Sequence, residues 1–330
     1  MVNICVVNIK YISWNSLYIL LMAATSTLLL TSCSHDDAVQ QERQVMSFRM
    51  ATEKVPVSRA AANVNNIETF QYPSDFTIAV DDENFTYTAN SSTAPMMSSA
   101  PAYFPVNGSS VRVRAYYPSF KMYYAETAQT FTVAQDQSQT DMGTNNYRVS
   151  DLMYGVPRED FTEFDSDGKI MPTSQSIPLV FDHKMAKISI IANTNGSVIK
   201  KMTMLNVLRS IDFNPVDTTF SNLAEADDGL GNSVLLYDDE TGQGGTFTCS
   251  AVIPRQSLAA GTELIEVVVE DFPNDQVLHY YLQEDAMFWP GKHYEYNLNI
   301  TMTGVSVTVR MVPWESSGYT WNNDGNPLEL

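Results

Sequence analysis

Tyr294-Glu295-Tyr296-Asn297-Leu298-Asn299-Ile300 alternates apolar and polar side chains, with the apolar ones at even-numbered positions. Val305-Ser306-Val307-Thr308-Val309-Arg310-Met311 repeats the alternation with the apolar ones at odd-numbered positions. Side chains of a β-strand point to the two faces of a sheet in turn, so this period of two predicts two half-buried strands. Thr303 and Gly304 lie between the runs, where a tight connection is expected.

The pattern of this hairpin recurs along most of the chain. Residues 111–117 alternate in the same way, and no window of about 12 residues has the period and caps of an amphipathic helix. Many short strands separated by Gly, Pro, Asn and Asp are typical of β-sandwiches, so the predicted fold class is all-β. Further strands are predicted at residues 76–80, 188–192, 200–209, 246–253 and 264–270.

The connections between these strands suggest how the chain is divided. Three long, mostly polar stretches, at residues 90–99, 134–146 and 221–245, are predicted to be surface excursions or partly disordered insertions. The third contains a short apolar run, Val234 to Tyr237, which is a candidate for a brief strand of its own. Residues 159–176 are acidic and rich in turn-forming residues, which indicates a boundary between two domains. The predicted organisation is a signal peptide at 1–32, a tether at 33–44, an N-terminal β-sandwich domain at 45–172 and a C-terminal β-sandwich domain at 173–330.

The beginning of the chain reads as an export signal. The apolar residues 17–30 are too few and too rich in Ser and Thr for a membrane span, which needs about 20 apolar residues. Leu30-Thr31-Ser32-Cys33 follows, and small residues before a cysteine fit the processing site of a lipoprotein signal. We predict that the mature chain begins at Cys33 and is anchored through lipid on that residue. A signal peptide with a coincidental cysteine is the alternative.

Composition limits the partners. With 19 Lys and Arg against 38 Asp and Glu the net charge is -19, and removal of residues 1–32 takes away Lys10 and no acid, which leaves -20. Such a surface repels phosphates, so nucleic acid is not expected as a partner. Of the three cysteines, Cys5 leaves with the signal and Cys33 is lipidated, so Cys249 has no intrachain partner.

Motifs for catalysis, cofactors and metals are missing from the sequence. The four histidines have no zinc-like spacing, and there is no Gly-x-Ser-x-Gly elbow or phosphate-binding loop. His183, in Phe181-Asp182-His183-Lys184, is interpreted as a structural hydrogen-bonding residue. No residue set supplies a nucleophile with its base, so we predict that the protein is not an enzyme and has no cofactor and no metal site.

Residues 46–62 suggest how the protein could assemble with other subunits. Met46-Ser47-Phe48-Arg49-Met50 places Met46, Phe48 and Met50 on one face of an extended strand, interpreted as an edge strand. A small-residue run with one arginine, Val57-Ser58-Arg59-Ala60-Ala61-Ala62, lies downstream. A cut between Arg59 and Ala60 would release the strand and open an apolar groove, which another subunit's strand could fill. The alternative is an uncleaved first strand followed by an ordinary loop arginine.

Several short motifs follow one another along the chain and, in their order and spacing, resemble the fimbrillin family of Bacteroidota, lipoprotein precursors that build type V pili. The motifs are Leu30-Thr31-Ser32-Cys33, the Phe48 strand, Ser58-Arg59-Ala60, Val113-Arg114-Ala115-Tyr116-Tyr117-Pro118, Asp151-Leu152-Met153-Tyr154-Gly155, the run 177–188, Trp289-Pro290-Gly291-Lys292-His293-Tyr294-Glu295-Tyr296 and Val309-Arg310-Met311-Val312-Pro313-Trp314.

The resemblance implies two transthyretin-like β-sandwich domains in tandem and a structural role in a cell-surface pilus that supports adhesion. It implies that an arginine-specific protease cuts the exported precursor, and Arg59–Ala60 matches the cleavage junction. A C-terminal strand of another pilin subunit then replaces the strand of Met46, Phe48 and Met50. The acidic pair after Cys33 resembles the signal that sends lipoproteins to the outer face of the outer membrane. The implied location is therefore the cell surface, and the fimbrium after processing.

The C-terminal tail departs from the family pattern. Residues 315–330 are mostly polar, and only Tyr319 and Trp321 alternate as in a donor strand. A tip or anchor subunit therefore stays an alternative. So does a monomeric surface lipoprotein that keeps its first strand and binds a host glycan or protein, with Tyr116 and Trp321 as candidate contacts. In a β-rich chain with 17 tyrosines, a half-buried place in a sheet is the favoured interpretation of Tyr116.

Overall fold

The computed structural model describes residues 43–51, 72–119, 129–138, 146–214, 219–224, 231–271, 274–301 and 304–314. In these ranges the chain forms 19 strands and one four-residue helix, so the prediction of an all-β fold is confirmed. The strands are β1 (Phe48–Met50), β2 (Ser74–Val80), β3 (Glu83–Ala89), β4 (Val113–Tyr117), β5 (Gln129–Thr132), β6 (Met153–Pro157), β7 (Ile177–His183), β8 (Ala186–Asn193), β9 (Ile199–Leu205), β10 (Ser210–Phe213), β11 (Phe220–Ala224), β12 (Ser233–Gln243), β13 (Thr246–Ile253), β14 (Gln256–Leu258), β15 (Glu263–Val269), β16 (Gln276–Tyr281), β17 (Ala286–Phe288), β18 (Lys292–Thr301) and β19 (Gly304–Pro313), and the helix is α1 (Asn146–Val149).

The N-terminal part of the fold is built on a six-stranded sheet in the order β1-β7-β6-β4-β2-β3. β1 runs parallel to β7, and the other neighbours are antiparallel. Alternate side chains of these strands, among them Phe48, Phe76 and Leu179, bury one apolar core. β7 follows residue 172 in the chain and still pairs within this sheet. The division into 45–172 and 173–330, and the transthyretin-like character of each part, stay predictions.

Two four-stranded sheets, β12-β9-β15-β16 and β13-β8-β18-β19, form the C-terminal part. Side chains from both sheets, such as Met204 and Ile190, share one buried core, so the two sheets make a β-sandwich. The predicted hairpin is confirmed, because β18 and β19 pair antiparallel along their whole length, ending with Thr301 opposite Gly304.

A third apolar cluster joins these parts. It contains Tyr116 and Tyr154 from the six-stranded sheet, Phe213 from the small sheet β11-β10-β5, Val252 from the sandwich, and Trp314 after β19. The cluster brings side chains from the two large parts and the small sheet into one buried contact.

One predicted surface excursion contains a long strand. β12 lies within residues 221–245 and pairs with β9, and its Val234 and Leu236 are buried. The apolar run 234–237 lies within this strand, as its pattern indicated, but the strand continues to Gln243, well beyond that run. Its second half is mostly exposed and polar, which hides the strand in the sequence. In the described part of the chain, no helix has the length and apolar character required to cross a membrane.

Candidate functional site

β1 is hydrogen-bonded along one edge to β7. The N–H of Ile177 donates to the carbonyl of Ser47, and the N–H of Ala51 donates to the carbonyl of Leu179, each over 2.8 Å. The register places Phe48 beside Ile177. A side-chain hydrogen bond of 3.0 Å between the hydroxyls of Ser47 and Ser176 adds to this edge.

The other edge of β1 is covered by residues 95–104, which we call the outer segment. Met96 N–H donates to the Phe48 carbonyl over 2.7 Å, and Met46 N–H donates to the Ala102 carbonyl over 2.9 Å. β1 is the last strand of the sheet, so its interpretation as an edge strand is confirmed. This second set of hydrogen bonds covers its outer edge. The predicted surface excursion at residues 90–99 is wrong for Met96, which is 5% exposed.

The side chains of β1 and of the residues just before it fill the core of the six-stranded sheet. Met46, Phe48 and Met50 are 1%, 0% and 5% exposed, so the alternation seen in the sequence corresponds to burial of one face. Arg49, between them, is partly exposed. The place of β1 is therefore a groove with a backbone edge on each side, β7 and the outer segment, and an apolar core beneath.

Tyr87 of β3 links β1 to the outer segment. Its hydroxyl accepts a hydrogen bond from Ala102 N–H over 2.8 Å and donates one to the Met46 carbonyl over 3.3 Å. Its ring meets the ring of Phe48 edge-on, with centroids 5.0 Å apart. Burial raises the pKa of the Tyr87 phenol above its ordinary value, which keeps the hydroxyl protonated as a donor. Tyr87 was not predicted as a site residue, although its place in the alternating stretch 83–89 indicates a buried position.

Three of the predicted site residues cannot be placed beside this groove. Cys33, Arg59 and Ala60 lie outside the described residues, as does the whole connection 52–71 between β1 and β2. Lipidation at Cys33 and processing at Arg59–Ala60 therefore stay predictions. Met46, Phe48 and Met50 are placed together in the groove, whereas their displacement stays a prediction.

Two further interpretations concern buried side chains. His183 donates a hydrogen bond from Nδ1 to Asp151 Oδ2 over 2.7 Å and stacks on Trp314 with ring centroids 4.0 Å apart, which confirms its interpretation as a structural hydrogen-bonding residue. Tyr116 is 1% exposed and packs against Tyr154. A ligand cannot reach the face of Tyr116 in this arrangement, so its interpretation as a packed sheet residue is confirmed and the alternative of a glycan contact is wrong. Trp321 lies outside the described residues.

Comparison with known proteins agrees with this architecture. A family model described as fimbrillin-like matches residues 53–314. The chain belongs to the fimbrillin-like family. No curated protein matches this fimbrillin-like chain.

Solved structures resemble the fimbrillin-like chain at the level of the fold. A candidate cell adhesion protein from Bacteroides uniformis is 17% identical with a TM-score of 0.54, and covers 82% of this chain and 99% of its own. One from Bacteroides ovatus is 15% identical with a TM-score of 0.55, over 82% and 98% of the two chains. A tip fimbrial protein from Porphyromonas gingivalis is 9% identical with a TM-score of 0.43, over 82% and 98%.

Proposed function

We propose that the protein is a structural subunit of a cell-surface fimbria, exported as a lipoprotein precursor and assembled when proteolysis triggers the exchange of its first strand. Membership of the fimbrillin-like family supports the role of a pilus subunit. The mechanism rests on the position of β1, whose core-facing side chains are buried and whose two edges are hydrogen-bonded. Its covalent connection to the rest of the fold runs through residues 52–71.

The energy at stake in the groove is large compared with the stability of a domain. Burial of a large apolar side chain is worth about 1.5–3 kcal/mol, so Met46, Phe48 and Met50 together represent about 5–9 kcal/mol. Each backbone hydrogen bond on the two edges adds about 0.5–1.5 kcal/mol net. A vacated groove therefore has a strong tendency to take up another extended strand with the same alternation.

Proteolysis at Arg59–Ala60 fits this arrangement because the bond lies in the connection after β1. A cut there leaves β1 held by noncovalent contacts alone. The lipid on Cys33 then remains with the released fragment, and the processed subunit is free to join its neighbours. In this proposal the partners are an arginine-specific protease, other pilin subunits and, before the cut, the outer membrane. The assembled fimbria supports adhesion to a host glycan or protein, in keeping with the candidate adhesion role of the Bacteroides uniformis protein.

Limited proteolysis of the soluble chain from residue 34 tests the proposal. An arginine-specific protease should cut first after Arg59, as read by intact mass, and size exclusion should then show a ladder of oligomers. Arg59→Ala is the matched variant, and it should stay monomeric under the same protease. A synthetic peptide of residues 44–51 added in excess should refill the groove and suppress the ladder.

The outcomes separate the alternatives. Cleavage after Arg59 without oligomers would argue for a tip or anchor subunit that accepts or donates a strand only at the end of a filament. No cleavage at Arg59, or a stable monomer that retains residues 44–51, would argue for a monomeric surface lipoprotein and against strand exchange.

A further inference from the structure

Three potential metal ligands lie together on the outer face of the sandwich, far in sequence from the first strand. Glu266 of β15 is directly opposite His279 of β16, and Glu263 lies two pairs further along. One donor atom from each of the three side chains falls within 4.8 Å of the other two. Glu263 Oε1 is 2.5 Å from His279 Nδ1, and the two side chains are 27% and 36% exposed.

A β-bulge produces this cluster. Residues 263 and 266 are three apart, and in a regular strand they would point to opposite faces. The register shifts between Glu263 and Ile265, and both Leu264 and Ile265 are fully buried. The extra residue turns Glu263 to the face that carries Glu266, which is the kind of re-aiming that bulges perform next to functional sites.

A second observation points to the same place. Thr203 of β9 is the cross-strand neighbour of Glu266 on its other side, so the two side chains share a face. Thr203 is 6% exposed, and its buried hydroxyl has no hydrogen-bond partner in the described part of the chain. Buried polar groups normally have a hydrogen-bond partner. If a metal ion held the Glu266 carboxylate in place, that carboxylate could accept a hydrogen bond from the Thr203 hydroxyl, and a water bound to the metal could serve the same purpose.

We propose that Glu263, Glu266 and His279 bind a divalent transition-metal ion, with Thr203 as a supporting hydroxyl. An imidazole with two carboxylates suits Zn²⁺ better than Ca²⁺ or Mg²⁺, which prefer sets of oxygen ligands. Tetrahedral Zn²⁺ with bonds of about 2.0–2.2 Å keeps its donors about 3.3 Å apart. The donor atoms of the cluster lie within 4.8 Å of one another, so binding requires only a small adjustment of side chains that are not fully buried. A divalent ion also balances the charge of the two carboxylates and takes the place of the hydrogen bond between Glu263 and His279.

The site is independent of strand exchange. It cross-links β15 and β16 in the sandwich, and three protein ligands leave a fourth position for water or for a donor from another molecule. Neither ligand strand belongs to the groove of β1. The proposal therefore stands or falls separately from the proposed function.

Isothermal titration of the full chain with ZnCl₂ tests the proposal. We expect one saturable Zn²⁺ site per chain, and a loss of affinity of at least about tenfold in His279→Gln and in Glu266→Gln. Thr203→Val should lower the affinity by a smaller factor. ZnCl₂ should raise the melting temperature of the wild type but not of His279→Gln, whose melting curve without metal verifies folding.

Two controls distinguish this site from other donors. Glu284→Gln removes an exposed carboxylate outside the cluster, and His35→Gln removes the histidine of His35-Asp36-Asp37, which lies outside the described residues. Both should bind Zn²⁺ as the wild type does. The proposal is overturned if His279→Gln binds Zn²⁺ with unchanged affinity, or if His35→Gln abolishes binding. It is also overturned if the wild type shows only weak binding of Zn²⁺ and Glu284→Gln changes that binding as well. Unchanged affinity in Thr203→Val overturns the part assigned to that hydroxyl.

Discussion

Truncation of Phe48 tests whether β1 belongs to the stable core. The Phe48 side chain is fully buried, and its ring forms a T-shaped pair with Tyr87 at an interplanar angle of 83°. Loss of a buried phenylalanine ring costs its transfer free energy and leaves a cavity, together about 3–5 kcal/mol. This range already includes the loss of the contact between the two rings, so we expect Phe48→Ala to lower the free energy of unfolding by about 4 kcal/mol.

Urea unfolding of the soluble chain from residue 34, followed by circular dichroism, measures this loss. Val277→Ala is the matched control, because Val277 is 46% exposed on β16 and its truncation should change stability by about 0.5 kcal/mol or less. Hydrogen exchange separates local from global opening, since undocking of β1 alone exposes the amides of Met46 and Met96 and spares those of β18.

The reasoning would be refuted by a loss below about 1 kcal/mol in Phe48→Ala together with unchanged exchange at Met46 and Met96. Such a result would mean that the ring contributes nothing to the docking of β1. A loss near the expected value that appears only as faster local exchange would still support the groove. It would show that β1 undocks before the rest of the sheet unfolds.

Two further changes probe buried polar groups. Tyr87→Phe leaves the Ala102 N–H without its acceptor, so urea unfolding should show a loss of about 1–3 kcal/mol, and a change within about 0.5 kcal/mol would contradict the linking role of Tyr87. Burial lowers the pKa of Lys187 from 10.5 to about 8, so between these values the unfolded chain holds a proton that the folded chain has released. As the pH rises through this window, the wild type should gain about 3 kcal/mol of stability relative to Lys187→Met, as measured by urea unfolding at both ends; an equal difference at pH 8 and pH 10.5 would contradict it.

Local patterns predicted most of the strands, and long-range pairing explains what was missed. The stretch 246–253 was predicted as a strand and is β13 (Thr246–Ile253). Its alternate residues from Phe247 to Ile253 face the core of the sandwich, whereas Val252, on the other face, packs in the third cluster. The outer segment escaped prediction because its pairing with β1 joins residues about fifty positions apart, as Arg49 and Pro95 are. Its sequence, rich in Pro, Ala, Ser and Met, also lacks the alternation of a strand. A sequence pattern reports which face of a strand is buried but not which segment lies beside it.

The candidate metal cluster escaped prediction for a related reason. Metal sites that can be recognised in a sequence have ligands at characteristic spacings along the chain, whereas His279 and Glu266 are neighbours across two paired strands. Glu263 lies on the same face only because of the bulge, and residues 263–266 include no glycine, which often marks a bulge in a sequence. The groove residues were accessible to prediction because Met46, Phe48 and Met50 lie on one strand and alternate.

In the proposed function, cleavage would act as a switch even if it left every contact of β1 unchanged. While the chain is intact, the covalent connection holds β1 at an effective concentration of about 1 mM near its groove. After a cut at Arg59 the strand returns only as a separate molecule, and a thousandfold lower concentration weakens its hold by about 4 kcal/mol. A donor strand that made only the same contacts would then compete on equal terms. Any additional apolar side chain in the donor, at about 1.5–3 kcal/mol each, would shift the exchange toward the polymer.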